Sequence, residues 1–247
     1  STRDPFGPLL FCLSLQPIIT SLIIDFKIFY LDNRLLAGNP ADVLNDLHKI
    51  ISLGSQIGLQ INPVKCELYF CSNKQERVVS DFQLVAPGIK LIYSFDLSVL
   101  GTPIFLDAVK EIADQKLINL KSLLDKLVPL NPHVSYFLIK NCLLIPKIKY
   151  FMKTTPLWHF PSFLSEAGKM IHHLEILINI SLSDSNWNQA SLSIKHGGLG
   201  IRKLNNICLP TFLASAHGIC DQIKSFSPSL GDSVQIHFMQ EALIQWR

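Results

Sequence analysis

The period of the apolar residues changes near Asp107, and that change limits the chain to a two-part fold. Beyond it, Val109, Ile112, Ala113, Leu120, Leu123, Leu124 and Leu127 recur at helical spacing. They predict one amphipathic helix over Asp107 to Val128, stopped by Pro129. Asn131-Pro132 supplies a cap and a first-turn proline for a second helix through about Ile145, which Pro146 ends or kinks. Further helices are expected over Phe163 to Ile180, Pro210 to Lys224 and Asp232 to Trp246. Before Asp107 the apolar runs are short and divided by turn residues. The fold class expected is therefore α+β, with the first hundred residues mixed and the remainder mostly helix.

Within the first part, Pro8 opens a helix to about Leu22 that is apolar almost all round, so burial on most sides is expected. Phe26 to Leu31 and Leu35 to Ala37 then flank a polar Asp32-Asn33 tip, the pattern of a β-hairpin. Asn39-Pro40 starts a second helix. Val43, Leu44, Leu47, Ile50, Ile51 and Ile57 form its apolar face, and Asp42, Asn45, Asp46 and Lys49 its polar face. Gly58 ends it. Strands are expected at Leu59 to Ile61, Glu67 to Cys71, Lys90 to Tyr93 and Leu97 to Leu100, the last two as a pair. Residues 73–87 read as irregular.

Hydrophobic residues make up 48% of the 247 and charged residues only 17%, against a usual quarter. That balance points to a core-rich piece with surfaces suited to other protein. The net charge of +3 permits nucleic-acid binding without arguing for it. Six cysteines without Cys-x-x-Cys spacing read as reduced, buried thiols. Leu9 to Ile24 is short for a membrane span and is interrupted by Ser14, Gln16, Pro17 and Ser21, so no membrane partner is expected. The start, Ser-Thr-Arg-Asp-Pro, is not that of a signal peptide.

Few residues carry chemistry by pattern alone. Asp32 presents a carboxylate on a rigid tip, although a divalent metal needs several converging oxygens. Gly198-Leu199-Gly200 lacks the helix start that a phosphate-cradling loop requires, so a structural turn is expected. Lys140, Lys147, Lys149 and Lys153 interleave with Tyr150 and Phe151, either as a strip for a nucleic-acid backbone or as a solvated helix face. His172 and His173, adjacent on a helix, point about 100° apart and do not chelate together.

Several stretches, in order, resemble reverse transcriptases of non-LTR, LINE-type retrotransposons. Arg3-Asp4-Pro5-Phe6-Gly7-Pro8-Leu9-Leu10-Phe11 resembles the family's Gln-Gly-Asp-Pro-Leu-(Gly/Ser)-Pro-Leu-Leu-Phe box. Tyr30-Leu31-Asp32-Asn33 resembles the catalytic Tyr-Xaa-Asp-Asp box. Gly58 to Glu67 resembles Gly-Leu-x-(Leu/Ile)-Asn-x-x-Lys-Cys-Glu. Leu100-Gly101-Thr102-Pro103 resembles the Leu-Gly-x-Pro primer-grip turn. Ser191 to Arg202, ending Gly-Gly-Leu-Gly-Ile-Arg, looks like the region after the thumb.

The resemblance implies part of a polymerase palm over residues 1–104 and a helical thumb and post-thumb region over 105–247. The family is an RNA-directed DNA polymerase that transfers nucleotides with two Mg²⁺ ions, taking an RNA template and a DNA primer inside the cell. By position, Asp32 would be the metal-binding catalytic residue and Lys65 a lysine near the triphosphate. Tyr30, Leu100 and Gly101 would meet the primer–template, and Lys147, Lys149 and Lys153 its backbone. The departures weigh against activity. Asn33 replaces the second Asp, Arg3 and Thr2 replace Gly and Gln, and the family's other metal Asp lies upstream of the first box. The expectation is a fragment inactive as it stands. The alternatives are a non-catalytic nucleic-acid-binding remnant and a helical protein-interaction module.

Overall fold

The computed structural model describes residues 5–72, 76–170, 173–179, 181–226 and 236–246. The fold is α+β and rich in helix, and the chain divides into two units, Ser1–Leu100 and Gly101–Arg247. No helix among the described residues is long and apolar enough to cross a membrane.

In the first unit, helix α1 spans Gly7–Ser21 with Pro8 in its first turn. Its burial is narrower than its composition suggests. Leu15 and Ile18 are buried, whereas Leu9, Leu10 and Leu13 are 55%, 60% and 58% exposed. Strands β1 (Phe26–Tyr30) and β2 (Asn33–Ala37) pair antiparallel, from Phe26 opposite Ala37 to Tyr30 opposite Asn33. Helix α2 (Pro40–Gln56) begins where Asn39 accepts a hydrogen bond from the Ala41 N–H at 3.0 Å. It ends where Gly58, at φ 79°, takes the left-handed turn that only glycine enters freely. Leu15, Ile18, Leu22 and Ile50 form the core, with Phe29, Leu36, Leu59 and Ile61 packed on it.

Asp46 corrects the expected polar face of α2. Its side chain is fully buried and accepts from the backbone N–H groups of Ile23 (3.1 Å) and Ile24 (2.9 Å), with Lys49 Nζ at 3.4 Å. Those N–H groups belong to the segment leaving α1, and no neighbouring strand among the described residues pairs with them. A carboxylate borrowed from α2 meets the need. Burial pushes the Asp46 pKa up, but the two N–H donors and Lys49 outweigh it and hold the carboxyl below its ordinary value.

The later strands are shorter than expected and pair differently. β3 (Glu67–Leu68) lies parallel to β4 (Lys90–Leu91), and helix α3 (Glu76–Val85) connects them. Lys90 therefore pairs with Glu67 rather than with the Leu97–Leu100 run. The segment read as irregular is mostly this helix, because Val79 and Phe82 turn one face inward; residues 73–75 lie outside the described residues. Leu59 to Ile61 forms no strand and contributes side chains to the core instead. β5 (Ser98–Val99) closes the unit.

In the second unit, β6 (Thr102–Pro103) leads into α4 (Leu106–Asp125). Asn131 caps α5 (Pro132–Leu138), accepting from His133 N–H at 2.9 Å. A π-helical turn, Ile139–Leu143, joins α5 to α6 (Leu144–Thr154). The expected break at Pro146 is thus a widened turn just before it. Pro146 falls in the first turn of α6, where a missing N–H breaks no helical bond. Next come α7 (Pro161–Lys169), α8 (His173–Ile178), α9 (Asp184–Ser191), α10 (Leu204–Phe226) and α11 (Met239–Trp246). Residues 227–235, which include the expected start of the last helix, lie outside the described residues. Val109, Leu120, Leu124, Ile148, Phe151, Met152, Phe163 and Leu204 belong to one core cluster running from α4 to α10.

Candidate functional site

The hairpin tip is the site to which the sequence points, and its turn sits one residue earlier than the sequence suggests. Tyr30 pairs with Asn33, so the two turn residues are Leu31 and Asp32. The left-handed residue is Leu31, at φ 53°. A leucine held there costs about 1–2 kcal/mol, because its Cβ crowds the following carbonyl. Asn33 opens β2, and its side-chain amide faces Asp32 Oδ1 at 3.4 Å. Asp32 is exposed, and so are Tyr30 (57%) and Leu31 (51%).

The underside of the hairpin is buried. Phe29 and Leu36 reach the core of the first unit alongside Leu59 and Ile61. This brings the hairpin and the Gly58–Glu67 stretch together in one cluster. Arg34, paired with Phe29, lies over its ring with the guanidinium carbon 5.9 Å from the centroid. Arg34 Nε is buried and has no hydrogen-bond partner. Arg34 also sits near Cys66, whose thiol burial pushes up while the Arg34 charge draws it down, for a net rise. No sequence motif singles out Arg34. Its alternation with Leu35 on β2 was the available signal, since it sets Arg34 on the Phe29 side.

The remaining candidates fall in separate places. Lys65 ends a 3₁₀ turn, Pro63–Lys65, and is exposed. Among the described residues, no hydrogen bond or ion pair joins it to Asp32. Leu100 and Gly101 form a tight turn, both left-handed at φ 52° and 76°. Lys147, Lys149 and Lys153 are exposed on α6, as is Tyr150 (46% exposed). Phe151 does not join them. It is 1% exposed and packs edge-on against Phe163, 5.8 Å between centroids. His172 and the Thr2–Asp4 end of the first box lie outside the described residues.

The glycine cluster is a structural turn. A Cβ on Gly198 would run into the Leu192 carbonyl oxygen, a clash that only glycine avoids. The N–H groups of Gly197, Gly198, Leu199 and Gly200 donate to Ile194, Ser193, Ala190 and Leu192 carbonyls, leaving none to cradle a ligand. The cysteines also differ from expectation. Cys208 is buried, its thiol pushed up to about 11 by burial, whereas Cys12, Cys71 and Cys142 are exposed.

A two-metal centre does not fit these residues. Mg²⁺ asks for near-octahedral oxygen coordination, and paired ions need carboxylates converging from more than one strand. The tip offers the Asp32 carboxylate and one Asn33 amide. Among the described residues, no group of three or more His, Cys, Asp or Glu is placed to hold a metal ion.

No protein-family model matches the chain, and no curated protein or solved structure matches it.

Proposed function

We propose that the chain is a palm-and-thumb part of a non-LTR reverse-transcriptase domain whose catalytic box has decayed, and that these 247 residues do not polymerise DNA by themselves. One observation carries the reading. Tyr30-Leu31-Asp32-Asn33 stands at the turn of a two-stranded hairpin between α1 and α2, with one box before it and the others after it in the family's order. The packing of Leu59 and Ile61 under that hairpin supports it further. Catalysis fails on this reading for want of carboxylates. Asn33 keeps one oxygen but loses a charge, and Asp32 alone cannot set the geometry of two ions.

Primer extension tests the catalytic half. With an RNA template, a DNA primer, deoxynucleotides and Mg²⁺, the purified chain is expected to add nothing, and Asn33→Asp is expected not to restore addition. Extension by either protein sinks the claim of inactivity. The parent transcript tests the family half. An open frame upstream of Ser1 that carries an Asp on an apolar strand would make the chain the C-terminal part of a full polymerase; a frame that closes, or lacks that Asp, excludes polymerase chemistry and leaves binding or no function.

A second reading, nucleic-acid binding without catalysis, is favoured by the α6 face. Lys147, Lys149 and Lys153 are solvent-exposed, and none has an ion-pair partner among the described residues. Reversing all three charges should weaken RNA binding and flatten its salt dependence. An unchanged binding curve removes this strip as the contact.

A further inference from the structure

Positive charge is segregated along the chain more sharply than the net value suggests. No Asp or Glu occurs from Leu127 to Ser165, a stretch holding Lys140, Lys147, Lys149 and Lys153. None occurs from Ser185 to Cys220, which holds Lys195, Arg202 and Lys203. The fold brings the two stretches together, because α6 packs against α10 and the π-helical turn lies beside the loop leading into α10.

At that seam two basic residues line one crevice. Lys140, on the π-helical turn, and Arg202, just before α10, line it with Ile139, Leu144, Gly200 and Ile201. Lys140 is positioned from below. Tyr136 donates its hydroxyl proton to the Leu199 carbonyl, which turns its oxygen lone pair to Lys140 Nζ at 3.2 Å. The ammonium also lies 5.5 Å from the centre of the Tyr136 ring. Gly200, at φ 70°, leaves the space above it open; a Cβ there would stand 2.9 Å from Nζ. An ammonium has three donors, and Tyr136 takes one. No carboxylate partners Lys140 or Arg202 among the described residues. The Glu175 carboxylate, on the helix packed against α5, accepts from Leu182 N–H and Trp187 Nε1–H.

We infer that the seam between the π-helical turn Ile139–Leu143 and the Gly197–Arg202 loop binds a phosphate group, with Lys140 and Arg202 as its ligands. The crevice, about 20 Å³, is too small to enclose a nucleotide, so the contact is with a phosphate at the surface. Resting on the nucleic-acid reading above, the natural source is a phosphodiester backbone that continues over the lysines of α6. Lys140 then does more than extend that strip: with Arg202 it fixes one phosphate in place, and the exposed lysines add diffuse attraction. The glycine loop serves through its shape, because its N–H groups are already engaged.

Fluorescence anisotropy of a labelled single-stranded RNA against the full chain, over a salt series, tests this. Lys140→Met with Arg202→Gln is expected to lower affinity about tenfold and to cut the slope of log K against log salt by about 1.4, two contacts' worth. Arg202→Lys is expected to keep most of the slope. Far-UV circular dichroism checks folding, and Arg202→Gln alone keeps the test alive if the Lys140 change disturbs the loop. Inorganic phosphate, against chloride at equal ionic strength, separates the sources. If phosphate raises the melting temperature of the wild type but not of the double variant, while RNA binding is unaffected by the substitutions, the site takes free phosphate. A folded double variant that matches the wild type towards both RNA and phosphate overturns the site. Loss of RNA binding in the α6 charge-reversal variant alone leaves the nucleic-acid reading standing without the seam.

Discussion

The two units stabilise themselves by different means. The second buries a continuous cluster from α4 through α10, with Phe151, Met152, Leu157 and Ala167 at 1% exposure or less. The first rests on Leu15, Ile18, Leu22 and Ile50, and it leaves Leu9, Leu10 and Leu13 of α1 outside, as it does Phe26, Ile28 and Tyr30 on one face of β1. It compensates with polar ties. Asp46 holds the exit from α1, and Lys27 Nζ donates to the Leu22 and Ile24 carbonyls, each at 2.9 Å. Apolar burial scales with area, whereas a buried ion tie fails all at once when its geometry or charge is lost. The contrast teaches that the low charge content of the chain does not mean a uniformly large core. In the first unit, much of that apolar content is surface.

The sharpest way to break the comparison is Phe151→Ala. Emptying that site should cost about 3–5 kcal/mol, read in urea by tryptophan fluorescence. Trp158, Trp187 and Trp246 all lie in the second unit, so this signal follows that unit alone. The matching deletion in α1, Leu10→Ala, should stay within about 0.5 kcal/mol by circular dichroism. Equal losses would mean that the outer face of α1 is not free surface.

Asp46→Ala comes next. It strands two backbone donors, and a loss of about 2–3 kcal/mol is expected in the dichroism transition, with the tryptophan transition unmoved. The pH dependence has a definite sign. The folded pKa lies below the ordinary value of 3.8, so the stabilisation is fully present above that value and is lost as pH falls through the folded pKa. Asp46→Asn should abolish this acid limb. If the Asp46→Asn protein keeps the acid profile of the wild type, another carboxylate governs it.

Where the sequence was legible, one physical rule dominated. Asn39-Pro40 and Asn131-Pro132 marked helix starts because cap and proline act locally, and both caps are made as expected. Asp107 to Val128 was readable because a long amphipathic period leaves little choice. The failures involve partners distant in sequence. Asp46 sits at a polar-face position of α2 and is buried only because Ile23 and Ile24 need acceptors. Leu68 and Leu91 form part of a two-residue parallel ladder that no alternation announces. At the candidate site, the hairpin was legible and its register was not. Asp32-Asn33 looks like the turn, but apolar alternation fixes Phe29 and Leu36 inward and thereby assigns the left-handed position to Leu31. The Lys140–Arg202 seam left a one-dimensional trace, the two stretches without acids, but only packing joins them.

That register gives the next prediction. Leu31→Gly removes the strain of φ 53° and gives up some chain entropy, for a net gain of about 1 kcal/mol in the first unit. Dichroism in urea should show the gain while the tryptophan transition stays fixed. A loss instead would mean that Leu31 makes contacts worth more than its strain, and the tip would then be a packed element rather than an exposed turn.

The smallest expected effect is on the second unit, and it tests whether polar ties matter there at all. Trp158 Nε1 donates to Glu241 Oε1 at 2.8 Å, and His159 Nε2 lies 2.9 Å from the same oxygen and 3.0 Å from Oε2. Together they pin α11 beside the 3₁₀ turn Leu157–His159, while Ala242 packs with Phe212 and Ala216 of α10. The Trp158 hydrogen bond leads in holding the Glu241 carboxyl below its ordinary value, with His159 adding to it and partial burial opposing. A lowered pKa means that the tie is complete above the ordinary value of 4.5 and is released as pH falls through the folded one. Wild-type tryptophan emission should therefore shift over that acid interval before the unit unfolds, and Glu241→Gln should remove the shift. Because the site is partly exposed, the substitution should cost under about 1 kcal/mol. The apolar core, unlike the first unit's ties, should hold the fold without it. If Glu241→Gln instead unfolds the unit cooperatively, the second unit depends on a polar tie as the first does, and the contrast between them fails.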